Sequence, residues 1–296
     1  MKVAVVALGG NAILSPDETG TVKEQLRDIK AVVKQLKVLL KKYRVVLVHG
    51  NGPQVGNLLI QQERTKKEVP PMPMDVCDAM TQGQIGYFLQ NTIKNELKKN
   101  VTSVITQILV DKKDPAFKNP TKPVGPYYRK KTMKHMIKEM EGWRRVVPSP
   151  KPKKIVEIEE IKTLVKKGFV VITCGGGGIP VVMKNKKLTG VEAVIDKDYA
   201  SEKLATQLNA ECLIFLTDVD YVYLNYGKGN QKRLKRITVK EAIKYLKRDE
   251  FKEGSMKPKI EASINFLKSG GKKVIIAKVL PLKRALLGKT GTIINR

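Results

Sequence analysis

Three glycine-rich turns and two isolated lysines are the residues of this chain whose types and spacing could do chemistry. Gly9-Gly10-Asn11, Gly50-Asn51-Gly52 and Gly175-Gly176-Gly177-Gly178 each follow a short apolar run. Glycine lets a backbone approach an oxyanion closely, and free N–H groups at a helix start can donate to it. One such turn is weak evidence, because a tight strand-to-helix turn needs glycine anyway. Three after successive strands point to one phosphate-rich site at the carboxyl ends of a sheet. Asp196-Lys197-Asp198 opens a helical segment. The acids suit a helix start, but a cation there is disfavoured by about 0.3–1 kcal/mol. Lys197 is therefore a candidate phosphate clamp with a carboxylate beside it. Gly254-Ser255-Met256 leads into another helix with Lys259 in its first turn, either a second cation or a surface lysine.

Together these residues suggest phosphoryl transfer, which asks a protein for positioning and for positive charge around crowded oxygens rather than for covalent chemistry. Competing motifs fail. Gly50, Gly52 and Gly56 place the third glycine one position too late for a dinucleotide fingerprint. Gly288-Lys289-Thr290 resembles the end of a P-loop, but Lys283 stands where its first glycine should be. No G-x-S-x-G elbow or H-E-x-x-H is present.

The elements that must position these residues alternate. Val3–Leu8, Val45–Val48, Phe169–Thr173 and Leu213–Leu216 read as buried parallel strands, and 101–110 as another. Segments 22–40, 54–64, 75–98, 158–167, 198–208, 238–246 and 258–267 carry helical spacing, and 273–277 and 292–294 close the sheet. The expected fold class is α/β, a three-layer αβα sandwich with a mostly parallel central sheet, in one domain over residues 1–296. Residues 112–154 break the rhythm, with seven prolines among many lysines, and read as an inserted protruding lid rather than a basic linker.

Length and composition agree. The 296 residues are 42% hydrophobic, enough to build a core. No apolar run approaches the ~20 residues of a membrane span, and the first residues lack a signal-peptide pattern. Cys77, Cys174 and Cys212 form no C-x-x-C pair, so disulfide or zinc frameworks are not expected and a cytoplasmic location is the default. The net charge of +29 invites a nucleic-acid reading, but it rests on charge alone, with no aromatic-interleaved basic stripe. It is better read as surface charge that helps draw anionic substrates in.

Longer stretches carry a family resemblance. ALGGNA (7–12), HGNGPQVG (49–56), MPMDVCDAMTQGQIGY (72–87), NPTKPVGPYY (119–128), WRRVVPSPKP (143–152), CGGGGIPV (174–181), GVEAVIDKDYASEKLA (190–205), LTDVDYVY (216–223) and GSMKPKIEA (254–262) together resemble the carbamate kinases of the amino-acid kinase fold. The resemblance implies ATP + carbamate ⇌ ADP + carbamoyl phosphate, with Mg²⁺ held mainly by nucleotide phosphates and water, in a homodimer without nucleic-acid or membrane partners. It implies that Gly9, Gly10, Asn11, Gly50, Asn51 and Gly52 bind the carbamate end. Lys122 would reach in from the lid, replacing a cation that related kinases carry where this chain has Ala7-Leu8. Lys197 and Lys259 would neutralise the phosphoryl groups, with Asp198 orienting both. Gly175, Gly176, Gly177, Asp218, Val222, Tyr223, Met256 and Lys259 would serve the nucleotide; no metal ligand is assigned.

Three departures from the family pattern stand out: Asp78 in place of a small residue, Lys151 in place of an acid, and Ala277-Lys278-Val279-Leu280 before the last helix. The first two are expected on helix or lid surface. A kinase of the same fold acting on another carboxylate or phosphate is the alternative, and NPTKP with the lid argues against it.

Overall fold

The computed structural model describes residues 2–15, 18–133, 135–139 and 142–296; the side chains of Asn11, Pro126 and Glu139 also lie outside the description. Eight strands form the central sheet, in the order Arg236–Thr238, Thr292–Asn295, Lys273–Lys278, Cys212–Thr217, Lys2–Leu8, Tyr43–His49, Val170–Ile172, Val101–Ser103. All neighbours run parallel except Lys273–Lys278 with Thr292–Asn295. Lys2–Leu8 lies mid-sheet, which explains its unbroken apolar run: both faces are covered.

Alternation along each strand divides the core in two. Val5, Ala7, Val46, Leu213 and Phe215 pack on one face against Ile161, Leu204, Ala242 and Phe266. Ala4, Val6, Leu8, Leu47 and Ile214 pack on the other against Ile29, Leu36, Ile85 and Ala285. These opposed faces make the three layers. Helix Val22–Leu40 shows how a layer is specified. Thr21 and Glu24 close a capping box at its start, and Ile29, Val32, Val33, Leu36 and Leu39 recur on its buried side.

The reading of 101–110 as one strand is corrected. Val101–Ser103 belongs to the central sheet, whereas Gln107–Val110 joins a second, four-stranded sheet with Ile179–Lys184, Lys187–Gly190 and Pro152–Ile155. The chain changes sheets at Thr106. There the Gln82 side chain takes over the backbone pairing, accepting from Thr106 N at 2.8 Å and donating to Thr106 O at 3.2 Å. The last helix, expected after Leu280, is the short Leu282–Leu286.

Within 112–154 the structure has a three-stranded antiparallel sheet of Lys122–Tyr128, Gly142–Val147 and Met136–Glu139. Pro152–Ile155 already belongs to the second sheet. Val124 and Val147 pack with Val55, Leu59, Met74, Cys77 and Val194, seating the small sheet on the body beside helix Gly52–Thr65.

Candidate active site

The first two glycine turns meet at the carboxyl ends of adjacent central strands. Gly50 N donates to Leu8 O at 3.1 Å, and Gly9 N to Leu216 O at 3.0 Å. A Cβ on Gly50 would stand 3.2 Å from Gly10 N, tighter than most side-chain contacts, so glycine lets the turns approach without displacing one another. At Gly10 and Gly52 a Cβ would meet nothing within 4 Å; these two face open space.

That space is a cavity of about 260 Å³. Gly10, Gly50, Asn51, Gly52 and Gly176 line one side, Lys197, Asp198 and Lys259 another, and Lys122 and Arg144 come from the small three-stranded sheet. Helix Gly52–Thr65 starts here with Pro53 in its first turn and without a side-chain cap, so its first N–H groups keep no capping partner. Asn51 Nδ2 donates inward, to Asp78 Oδ1 at 3.0 Å and Thr81 Oγ1 at 2.9 Å.

A chain of charges crosses the cavity. Lys197 Nζ lies 2.6 Å from Asp198 Oδ1, and Lys259 Nζ lies 2.9 Å from Asp198 Oδ2. Lys259 also donates to Ser255 O at 3.0 Å. Asp196 caps helix Lys197–Gln207 by accepting from Asp198 N, while its other oxygen holds Lys122 Nζ at 2.7 Å. Burial opposes the Asp198 carboxylate, but Lys197 and Lys259 outweigh it and hold the group at about 2. Burial also opposes the Lys197 ammonium, and the facing carboxylates of Asp198, Asp196 and Asp218 raise it above its ordinary value. Burial and the Lys197 charge pull Lys259 down, with Asp198 resisting. One carboxylate thus serves two ammonium groups, leaving an excess of positive charge for an anion.

A second cavity, about 240 Å³, lies on the far side of Lys259. Thr217, Asp218, Tyr221, Tyr223, Tyr226, Phe251, Ser255 and Met256 are among its walls, and Lys259 lines both cavities. The first space gathers lysines around glycine turns, and the second sets three tyrosines, Phe251 and Met256 beside the charged Asp218, Glu250 and Lys252, with the Lys259 ammonium between them. That division suits a phosphate chain running from one to the other with a flat ring at its end.

The expected residues come together with exceptions. Lys122, Lys197, Asp198, Lys259, Gly10, Gly50, Asn51 and Gly52 share the first cavity, and Asp218, Tyr223 and Met256 the second. Gly9 sits against Leu216 O, beneath the turn. Side-chain placement for Asn11 lies outside the described residues. Gly176 lines the first cavity rather than the second. Gly175 and Gly177 are buried, where a Cβ would collide with His49 and with the backbone of Ile195. Val222 faces the core, fully buried, because the strand Val222–Leu224 alternates and Tyr223 takes the outward position.

Asp78 is not on the helix surface. It is 3% exposed beneath Asn51, and burial pushes its carboxyl up to about 7, with the Asn51 N–H opposing and Asp75 adding to the rise. Lys151 does lie at the surface, over the Tyr199 ring and 3.7 Å from Glu261. Arg144, Tyr221, Tyr226 and Phe251 were missed. The repeated tyrosines of 221–226 and the paired arginines of WRRVV were the available signals. His49 and Cys174 are structural. Burial drives the imidazole down to about 4, and its ring Nδ1 lies 3.0 Å from Gly50 O; burial pushes the Cys174 thiol up to about 12.

Comparison with known proteins agrees with this geometry. The amino acid kinase family model matches residues 2–278. A carbamate kinase of Thermococcus kodakarensis is 48% identical over the full length of both chains. Carbamate kinase 1 of Enterococcus faecium is 47% identical, covering 100% of this chain and 99% of its own. A solved structure of carbamate kinase from Giardia lamblia bound to AMP-PNP superposes with a TM-score of 0.94 at 41% identity, covering 99% of this chain and 98% of its own. With end-to-end likeness in sequence and in fold, the chain belongs to the carbamate kinases of the amino acid kinase family.

Proposed function

We propose that the chain catalyses reversible phosphoryl transfer between ATP and carbamate, giving ADP and carbamoyl phosphate. The observation that carries this reading is the position of Lys259 as the shared wall of an oxyanion cavity and an aromatic pocket. Adenine and ribose occupy the pocket among Tyr223, Tyr226, Phe251 and Met256, and the phosphates pass Lys259. Carbamate lies against the Gly10 and Gly50–Gly52 turns, whose N–H groups and helix start face its oxygens. Lys197 and Lys259 stand where charge gathers on the transferring phosphoryl group. Lys122 leaves Asp196 for the substrate anion as the lid settles. Carbamate is already an anion, so its oxygen attacks in line without a general base.

Magnesium fits as a passenger of the nucleotide. Among the described residues no group of three or more acidic, His or Cys side chains could hold a metal. Asp198 and Asp196 are occupied by lysines. An ion that keeps several waters and binds mainly phosphate oxygens suits such a site, and when bound it offsets phosphate charge.

ATP formation from carbamoyl phosphate and Mg-ADP, with acetyl phosphate as a parallel substrate, tests the reading. Carbamoyl phosphate gives ATP readily and acetyl phosphate poorly; no ATP from carbamoyl phosphate overturns it. In the same assay Lys122→Ala lowers turnover by about 10–10²-fold, the lower part of the range for a lost charge partner, since Lys122 is only half-buried. Unchanged turnover removes the lid lysine from the mechanism.

We assign the homodimer contact to helix Met74–Leu97. Val76, Met80 and Tyr87 are exposed along one stripe of it, with Met72 nearby. No Lys or Arg occurs between Lys67 and Lys94 in a chain of net charge +29. Two such cations can meet closely only where that charge is absent, so a second copy is the occupant. Met80→Glu converts the dimer to monomer in sedimentation at micromolar concentration; an unshifted dimer places the contact elsewhere. Three unpaired, buried cysteines support a reducing, cytoplasmic location. Among the described residues no helix is long and apolar enough to cross a membrane.

A further inference from the structure

The Asn51 side chain offers two N–H donors and one carbonyl oxygen. Both partners beneath it are acceptors. Thr81 gives its own hydroxyl proton to Asp78 O at 2.8 Å, so towards Asn51 its oxygen only accepts. An ionised Asp78 carboxylate only accepts as well. The two together select the nitrogen and reject the oxygen. Turning the amide over would set its lone pairs against two acceptors in a buried place, at a cost comparable to lost hydrogen bonds. Asn51, Asp78 and Thr81 are all buried, so water does not relieve this choice. Gly176 completes the arrangement: a Cβ there would collide with the Asn51 amide, so only glycine lets it lie against that wall.

The amide therefore has one polar atom left for a ligand, Oδ1. Its surroundings in the cavity are otherwise suited to oxyanions: Lys122, Lys197, Lys259 and the glycine turns. An acceptor among those donors repels a carboxylate or phosphate oxygen. It suits a ligand N–H. Carbamate and carbamoyl phosphate carry one amino group whose lone pair is delocalised into the carbonyl, so that nitrogen only donates. Acetyl phosphate has a methyl group in its place.

We infer that Asn51 Oδ1 accepts an N–H from the substrate's amino group and sets the preference for carbamoyl phosphate over acyl phosphates, with Asp78 and Thr81 as positioning residues that keep the oxygen turned to the substrate. This deepens the proposed function and rests on it. It also gives Asp78, a departure from the family pattern, a task at the substrate without contact.

The test is kcat/KM for ATP formation at pH 8, where the Asp78 carboxyl is ionised, using carbamoyl phosphate and acetyl phosphate with Mg-ADP. Acetyl phosphate is also measured as a competitive inhibitor. Asn51→Ala lowers the carbamoyl-to-acetyl ratio by about 5- to 150-fold, the scale of one hydrogen bond to a buried partner. Asp78→Leu with Thr81→Val, which frees the amide to turn, lowers the ratio at least about fivefold, and it carries the test if Asn51→Ala does not fold. Asp78→Asn, which still accepts from Nδ2, keeps it. A ratio unchanged in both Asn51→Ala and the double variant overturns the inference while leaving the kinase reading intact. A native protein that makes ATP from both compounds equally does the same. No ATP from carbamoyl phosphate overturns the kinase reading, and this inference with it.

Discussion

Lys197→Ala lowers kcat for ATP formation by about 10²–10³-fold, the effect of removing one preorganised charge partner from a transferring group. The magnitude follows from placement. Lys197 is partly buried, 2.6 Å from Asp198 Oδ1, and its side chain passes beside Gly50, where a Cβ would meet its Cδ at 3.7 Å. The ammonium is thus fixed before substrate arrives, and little reorganisation is left for the moment of transfer. KM for Mg-ADP changes less than kcat, because Lys259 and the aromatic pocket remain. Lys197→Arg does not restore the rate. A guanidinium is a planar, delocalised fork and does not reproduce the compact point charge that Asp198 fixes. Steady-state kinetics with both substrates varied checks all three statements; a loss smaller than tenfold in kcat rules Lys197 out as the clamp.

The second large effect is on the fold itself. Asp198→Ala leaves Lys197 and Lys259 facing each other in a buried site without their shared carboxylate. Removing one partner of a buried ion pair costs about 3–5 kcal/mol. For a chain of this size each kcal/mol is worth roughly 2–4 °C, so the midpoint falls by about 6–20 °C. The pH dependence has a definite sign. Asp198 is held at about 2 in the folded chain against an ordinary value of 3.8. A depressed carboxyl stabilises the fold above 3.8, and that contribution is lost as pH falls from 3.8 through 2. The gap between native and variant midpoints is therefore full at pH 7 and narrows below pH 4. Thermal unfolding at pH 7 and at pH 3 measures both; a gap that widens with acid would mean that Asp198 is not the stabilising carboxylate.

Much of this architecture was legible in the chain. Lys2–Leu8 and Cys212–Thr217 are buried on both faces, and such strands write themselves as unbroken apolar runs. Lys197 was visible because a lysine at a helix start contradicts the helix dipole unless something else needs it. What stayed hidden had physical reasons. Helix Met74–Leu97 is apolar towards the core and on its exposed stripe, so no polar face marks which way Asp78 points. Val222 and Tyr223 are neighbours in sequence but opposite in orientation, and only the register of their strand with Lys232–Leu234 separates them. The sheet change at Thr106 depends on Gln82, 24 residues earlier, which no local pattern announces. Arg144 enters the cavity from a small sheet whose placement depends on an apolar seam with Val55 and Met74.

Lys259 has one further consequence, because its single ammonium belongs to two binding spaces. An anion in either space draws on the same charge, so each ligand alters the other's affinity. Thermodynamic linkage makes that alteration reciprocal: the factor by which bound nucleotide changes carbamate affinity equals the factor by which carbamate changes nucleotide affinity. The two pockets form a coupled balance with one pivot.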